Sequence, residues 1–165
     1  MVTTAPTVDE VRAVAAQVPD PELPVISIAD LGILRDVTVE PDGHVVVEIT
    51  PTYSGCPAMD AIRDDVLDRL RAEGWNDAEV RMVLSPSWTT DWITAEGREA
   101  LREYGIAPPD PRGRQGGPVP LTLSVRCPRC GSLDTTEVSR FGSTACKSLW
   151  TCRACLEPFD HFKAL

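Results

Sequence analysis

Cys127-Pro128-Arg129-Cys130-Gly131 and, after 21 intervening residues, Cys152-Arg153-Ala154-Cys155 decide how the C-terminal part of the chain folds. Two thiolates two residues apart can reach one ion while the amides of the turn between them point at the sulfurs. Gly131 relieves the strained conformation that follows the first pair. The intervening residues suffice for a hairpin that brings both pairs around one tetrahedral ion. Cys127, Cys130, Cys152 and Cys155 are therefore expected to form a four-cysteine zinc site, one zinc per chain. Four protein ligands leave no open position for water or substrate, so the ion is expected to be structural. Iron on the same four sulfurs, and the two pairs acting as redox dithiols, are the alternatives.

Residues 121–165, which carry these knuckles, are too few for a self-sufficient core, since chains near ~40 residues usually need a metal or disulfides. Upstream, nine of the sixteen residues from Gly105 to Pro120 are proline or glycine, a composition that resists both periodic structures. The expected organisation is a first domain over 1–104, a linker over 105–120 and a zinc ribbon over 121–165.

In the first domain, Thr7 with Glu10 reads as a capping box, and Val8, Val11, Val14, Ala15 and Val18 share one helical face. Pro19, Pro21 and Pro24 end that helix and stiffen Asp20-Pro21-Glu22-Leu23-Pro24. β-Branched alternation over 33–40 and 44–50 around Pro41-Asp42-Gly43 predicts a hairpin. Met59, Ile62, Val66 and Leu70 predict a helix after Pro57, residues 78–84 a further strand, and Thr94 to Tyr104 a last helix. The order predicts an α+β fold, a small mixed sheet with packed helices, followed by the C-terminal zinc ribbon.

Cys56 stands directly before Pro57, where unpaired amides and the helix dipole favour a thiolate. Packing in a core is the competing reading for a lone cysteine, and for the spare Cys146 it is the expected one. Asp20 and Glu22 are flanked by prolines that hold them rigidly. His44 and His161 read as ordinary surface or core residues.

Charge divides unevenly. Residues 1–110 hold 21 acids and 8 bases, a net of −13, and residues 111–165 hold 4 acids and 8 bases, a net of +4. The acidic part would repel phosphates, and four thiolates with one Zn²⁺ would bring the tail near +2, so nucleic acid is not an expected partner. No stretch approaches the ~20 apolar residues of a membrane span. The first residues lack a secretory pattern. A cytoplasmic protein with no membrane partner is expected, and homo-oligomerisation is left open. There is no phosphate-cradling glycine loop, no nucleophile–base–orienter set and no Glu-x-x-His pair, which predicts a chain that is not itself an enzyme.

Asp20-Pro21-Glu22-Leu23-Pro24, Asp30-Leu31-Gly32 and Thr52-x-x-x-Cys56-Pro57 resemble the small domain of SufT-like iron-sulfur assembly factors, with Ser54 where that family often has proline. Ser85-Pro86-Ser87-Trp88-Thr89-Thr90-Asp91-Trp92-Ile93, with Phe141 to Lys147 and Glu157 to Lys163, narrows the resemblance to phenylacetate-degradation proteins of the PaaD (PaaJ) type. The resemblance covers nearly the whole chain. It implies an accessory or maturation role with the bacterial multicomponent phenylacetyl-CoA ring 1,2-epoxidase, whose oxygenase subunit uses a di-iron centre and whose reductase subunit uses flavin and an iron-sulfur cluster. It further implies that Cys56, with Asp20, Glu22 and Thr52, transiently handles iron or a cluster, with those subunits as partners. A nucleic-acid-binding or general protein-interaction ribbon is the alternative.

Overall fold

Thr7 caps α1 (Val8–Ala15) as its spacing to Glu10 predicts: the Glu10 amide donates to Thr7 Oγ1 at 3.3 Å and the Thr7 amide to Glu10 Oε2 at 2.8 Å. The computed structural model describes residues 5–53, 55–109 and 124–163, and the chain divides into two compact units between Trp88 and Thr89.

In the first unit, β1 (Leu34–Val39) and β2 (Val45–Ile49) pair antiparallel across the Pro41-Asp42-Gly43 turn, where Gly43 at φ +92° takes the left-handed conformation that side chains resist. α2 (Ala58–Ala72) buries Met59, Ile62, Val66 and Leu70, the four residues of its apolar stripe. β3 (Ala78–Met82) then returns parallel to β2, giving a mixed sheet of order β1-β2-β3. α1 packs on β1 and α2, and α2 on β3. With Val37, Val45, Val47 and Ile49 also buried, one helix-covered sheet face forms the core. The Asp30-Leu31-Gly32 turn is pinned from a distance: Trp88 is buried and its indole N–H donates to the Leu31 carbonyl at 2.9 Å.

The second unit is larger than the tail expected from composition. A 3₁₀ turn (Thr90–Trp92), α3 (Ala95–Glu103) and β4 (Ile106–Ala107) belong to it. β4 runs parallel to β7 (Pro158–Phe162) in a sheet of order β4-β7-β6-β5, where β5 is Thr135–Ser139 and β6 is Lys147–Cys152. Two expected boundaries therefore change. The division lies at Trp88 and not at 104, and Ile106 and Ala107, assigned to the linker, are buried in a strand. Two residues carry no periodicity, and the surrounding prolines and glycines mask them. The remaining linker residues from Asp110 lie outside the described ones. Ala107 packs in one core with Val125, Cys127, Trp150, Cys152 and Phe159. Arg98 of α3 ties the start to the end of this region, donating to the carbonyls of Thr90 and Pro109.

The regrouping also changes the charge reading. Over 1–88 there are 16 acids and 6 bases, a net of −10, whereas 89–165 hold 9 acids and 10 bases, a net of +1. Asp91 and the acids of α3 offset the basic tail.

Candidate metal centre and cysteine site

The two knuckles are built alike. In the first, the Gly131 amide donates to the Cys127 carbonyl at 2.9 Å and the Cys127 amide to the Ser132 carbonyl at 2.9 Å, with Gly131 at φ +76°. In the second, the Cys152 amide donates to the Glu157 carbonyl at 3.0 Å, and Leu156 occupies the position of Gly131 at φ +65°. Leu156 is the one non-glycine residue with positive φ among those described, a conformation costing an L-residue about 1–2 kcal/mol. The hairpin of β5 and β6 closes one knuckle on the other, and the Arg153 amide donates to the Asp134 carbonyl at 2.8 Å.

The four sulfurs lie within 4.8 Å of one another, with Cys127 Sγ 3.8 Å from Cys155 Sγ and Cys130 Sγ 3.5 Å from Cys152 Sγ. A tetrahedron with Zn–S bonds of ~2.3 Å has edges of ~3.8 Å, so the arrangement fits one zinc-sized ion, and both separations far exceed the ~2.05 Å of a disulfide. Proton affinities point the same way. The amide of Cys155, then that of Ala154, draws the Cys152 thiol down to about 7 against the effect of burial. At Cys155 the Glu157 amide pulls down, but burial and the neighbouring sulfurs push the thiol up to about 12. Four thiolates cannot share this space without a cation, and a dication supplies the missing charge. Among the described residues this is the sole cluster of three or more such ligands.

The two histidines stand apart from it. His161 is buried, 3.4 Å from Ser148 Oγ through Nδ1 and edge-on to Trp150. His44 pairs with Asp77 at 2.9 Å. Cys146 is buried, 3.0 Å from Thr144 Oγ1, which suits the packing role expected of it.

Cys56 precedes Pro57, the N-cap of α2, and is half-buried. Its thiol pKa is raised, contrary to the expectation from the helix dipole. Burial is the largest cause. The Ala58 amide and Tyr53 hydrogen-bond the sulfur and lower it, as a helix start should, but the carboxylates of Glu22 and Asp20 oppose them. The fold thus brings Asp20, Glu22 and Cys56 within electrostatic reach. Asp20 itself is buried, its Oδ1 accepting the amides of Glu22 and Leu23 at 2.8 Å each, so one oxygen organises the proline-flanked turn. Thr52 is half-buried in the loop before Cys56, and Ser54 lies outside the described residues. Tyr53 was not singled out by sequence reasoning. A phenol three residues before a cysteine has no recognisable spacing until the loop turns back, as it does where the Cys56 amide donates to the Tyr53 carbonyl at 3.3 Å.

Residues 8–82 match the family described as iron-sulfur cluster assembly protein, and residues 114–163 match the PaaD zinc beta ribbon domain. The chain is 48% identical over 160 residues to an Escherichia coli (strain K12) protein named as a candidate subunit of 1,2-phenylacetyl-CoA epoxidase, covering 97% of this chain and 94% of that one. It is 39% identical over 83 residues to the Fe-S protein maturation auxiliary factor SufT of Staphylococcus aureus (strain USA300), covering 50% of this chain and 93% of that one. Among solved structures it resembles a domain of unknown function, DUF59, from Bacillus anthracis, with TM-score 0.53 and 30% identity over 57% of this chain and 90% of that one. No helix among the described residues is long and apolar enough to cross a membrane.

Proposed function

Because the chain belongs to the PaaD family of phenylacetyl-CoA epoxidase subunits, we propose that it is a non-catalytic accessory subunit that assists assembly of an iron or iron-sulfur centre in a phenylacetyl-CoA 1,2-epoxidase. The observation that carries this reading is the pairing, in one chain, of a SufT-like unit holding Cys56 beside Asp20 and Glu22 with a separate four-cysteine site. The four cysteines hold one structural zinc, which stabilises the second unit. Cys56 is the soft donor that takes up iron or a cluster transiently, with Glu22, Asp20 and Thr52 around it. Burial and the nearby carboxylates raise the proton affinity of this sulfur, so an incoming cation competes with a proton for it, which suits capture followed by release.

The client is the oxygenase or the reductase subunit of the epoxidase. A nucleic-acid role for the ribbon is less well supported, since the second unit carries only +1 and would fall to −1 with four thiolates and one zinc ion. The test is anaerobic purification of the wild-type chain and Cys56→Ser, alone and with the epoxidase subunits, with metal analysis of each fraction. Serine keeps the shape and removes the soft ligand, so the variant should fold, retain zinc and bind its partner, yet leave the co-purified epoxidase poor in iron. Full iron loading with Cys56→Ser would overturn the assembly role.

A further inference from the structure

β3 is an edge strand of the first unit's sheet, and its free side carries the features of a docking rail. In the strand order β1-β2-β3 it pairs, among the described residues, only with β2. Parallel pairing turns the N–H and C=O of alternate residues toward the same neighbour. The Val45 amide donates to the Asp77 carbonyl at 2.9 Å and the Val83 amide to the Ile49 carbonyl at 2.8 Å, so the odd-numbered residues face β2. Ala78, Val80 and Met82 therefore direct their backbone groups away from the sheet. Met82 and, just past the strand, Leu84 are also exposed apolar side chains, at 54% and 66%. In register, Met82 lies beside Ile49, and the chain runs from Ile49 through Thr50 into the loop that carries Cys56. The open edge and its apolar pair thus lie at the sheet end from which the candidate iron-handling cysteine departs.

We propose that the edge of β3 binds an extended segment of the client subunit by strand addition. Resting on the accessory reading above, this brings the client beside Cys56. Main-chain hydrogen bonds to the even-numbered residues would supply affinity, and alternate side chains would supply specificity. Apolar side chains of the incoming strand would cover Met82 and Leu84. Those on its other face would meet Glu79, which Arg81 and, when protonated, His44 partly neutralise, with Glu48 on the next strand, inside a unit of net charge −10, which selects basic residues. The same charge disfavours a second copy of this chain as the occupant, because two units of −10 would be brought edge to edge.

The test uses the full zinc-loaded chain with purified oxygenase and reductase subunits of the epoxidase. Hydrogen exchange should slow at residues 78–84 on complex formation. Met82→Asp and Leu84→Asp should each weaken binding about tenfold or more, as loss of an apolar contact at an interface centre does. Val80→Pro removes an outward donor that β2 does not use and should also weaken binding, with folding checked by circular dichroism. If the complex forms but all three variants bind as the wild type does and β3 gains no protection, the rail is wrong while the accessory reading stands. If neither subunit binds the wild-type chain, both fall. A homodimer that Met82→Asp dissociates would give the edge to a second copy and overturn the proposal.

Discussion

At Cys56 one amide and one phenol compete with burial and two carboxylates for the same sulfur, and the second group prevails. Removing one carboxylate should shift that balance: Glu22→Gln should lower the thiol pKa and speed alkylation of Cys56 by iodoacetamide near pH 8 in the zinc-loaded protein. Mass spectrometry of the modified peptide reads the rate. An unchanged rate would mean that Glu22 does not act on the sulfur. Leu156 gives a second residue-scale expectation. Leu156→Gly relieves about 1–2 kcal/mol of left-handed strain and gives back about 0.4–1 kcal/mol through the freer unfolded chain. The net should be a small rise in the melting temperature of the second unit, whereas Leu156→Ala, which keeps the strain, should give none.

Among the elements of the first unit, α2 contributes the most buried residues, five, to the core. Leu70 is fully buried, and Leu70→Ala should cost about 2–5 kcal/mol in urea unfolding, through lost burial and the cavity left behind. The start of β3 has a pH-sensitive tie. The Asp77 hydrogen bond, followed by lesser charge effects, raises the His44 pKa above its ordinary 6.5. A raised folded-state pKa means that the imidazolium stabilises the fold fully below pH ~6.5 and that this contribution disappears as pH rises through the folded value. Stability of the first unit should therefore decline between pH 6 and pH 8. His44→Gln should remove that slope, as measured by urea midpoints across the range. These helices and the hairpin are legible from spacing alone, because Thr7 with Glu10, the stripe from Met59 to Leu70 and the Pro41-Asp42-Gly43 turn are local signals. β4 is not legible, because two residues become a strand only when β7 lies beside them.

For the whole molecule, two cores imply two transitions. Chelating a metal held by the four cysteines should unfold the second unit and leave the first intact, since Cys127, Cys152 and Cys155 share their core with Ala107, Trp150 and Phe159. Two-dimensional NMR before and after chelation would separate the two sets of signals. A metal-free chain whose second unit stays natively ordered would overturn the structural role of zinc. The position of the boundary gives a further expectation. A chain ending at Trp88 should unfold with the midpoint of the first unit in the full protein, whereas one ending at Tyr104 should carry an unstructured α3. Ile106, Ala107 and the Arg98 clamp to Pro109, which hold that helix in place, would be missing.

Sequence alone determined what depends on short spacing: the two Cys-x-x-Cys knuckles, the capped α1, the hairpin, the apolar stripe of α2 and the rigid acidic turn. Each is a pattern whose members lie within one element or one loop, so its physics is complete before the chain folds. Tertiary structure decided the rest. It assigned α3 to the second unit, raised the proton affinity of Cys56, made Asp20 a buried acceptor of two amides and left the even-numbered side of β3 without a strand partner among the described residues. Burial, charge proximity and strand adjacency arise from residues far apart in the chain, and no local pattern encodes them until the sheets have assembled.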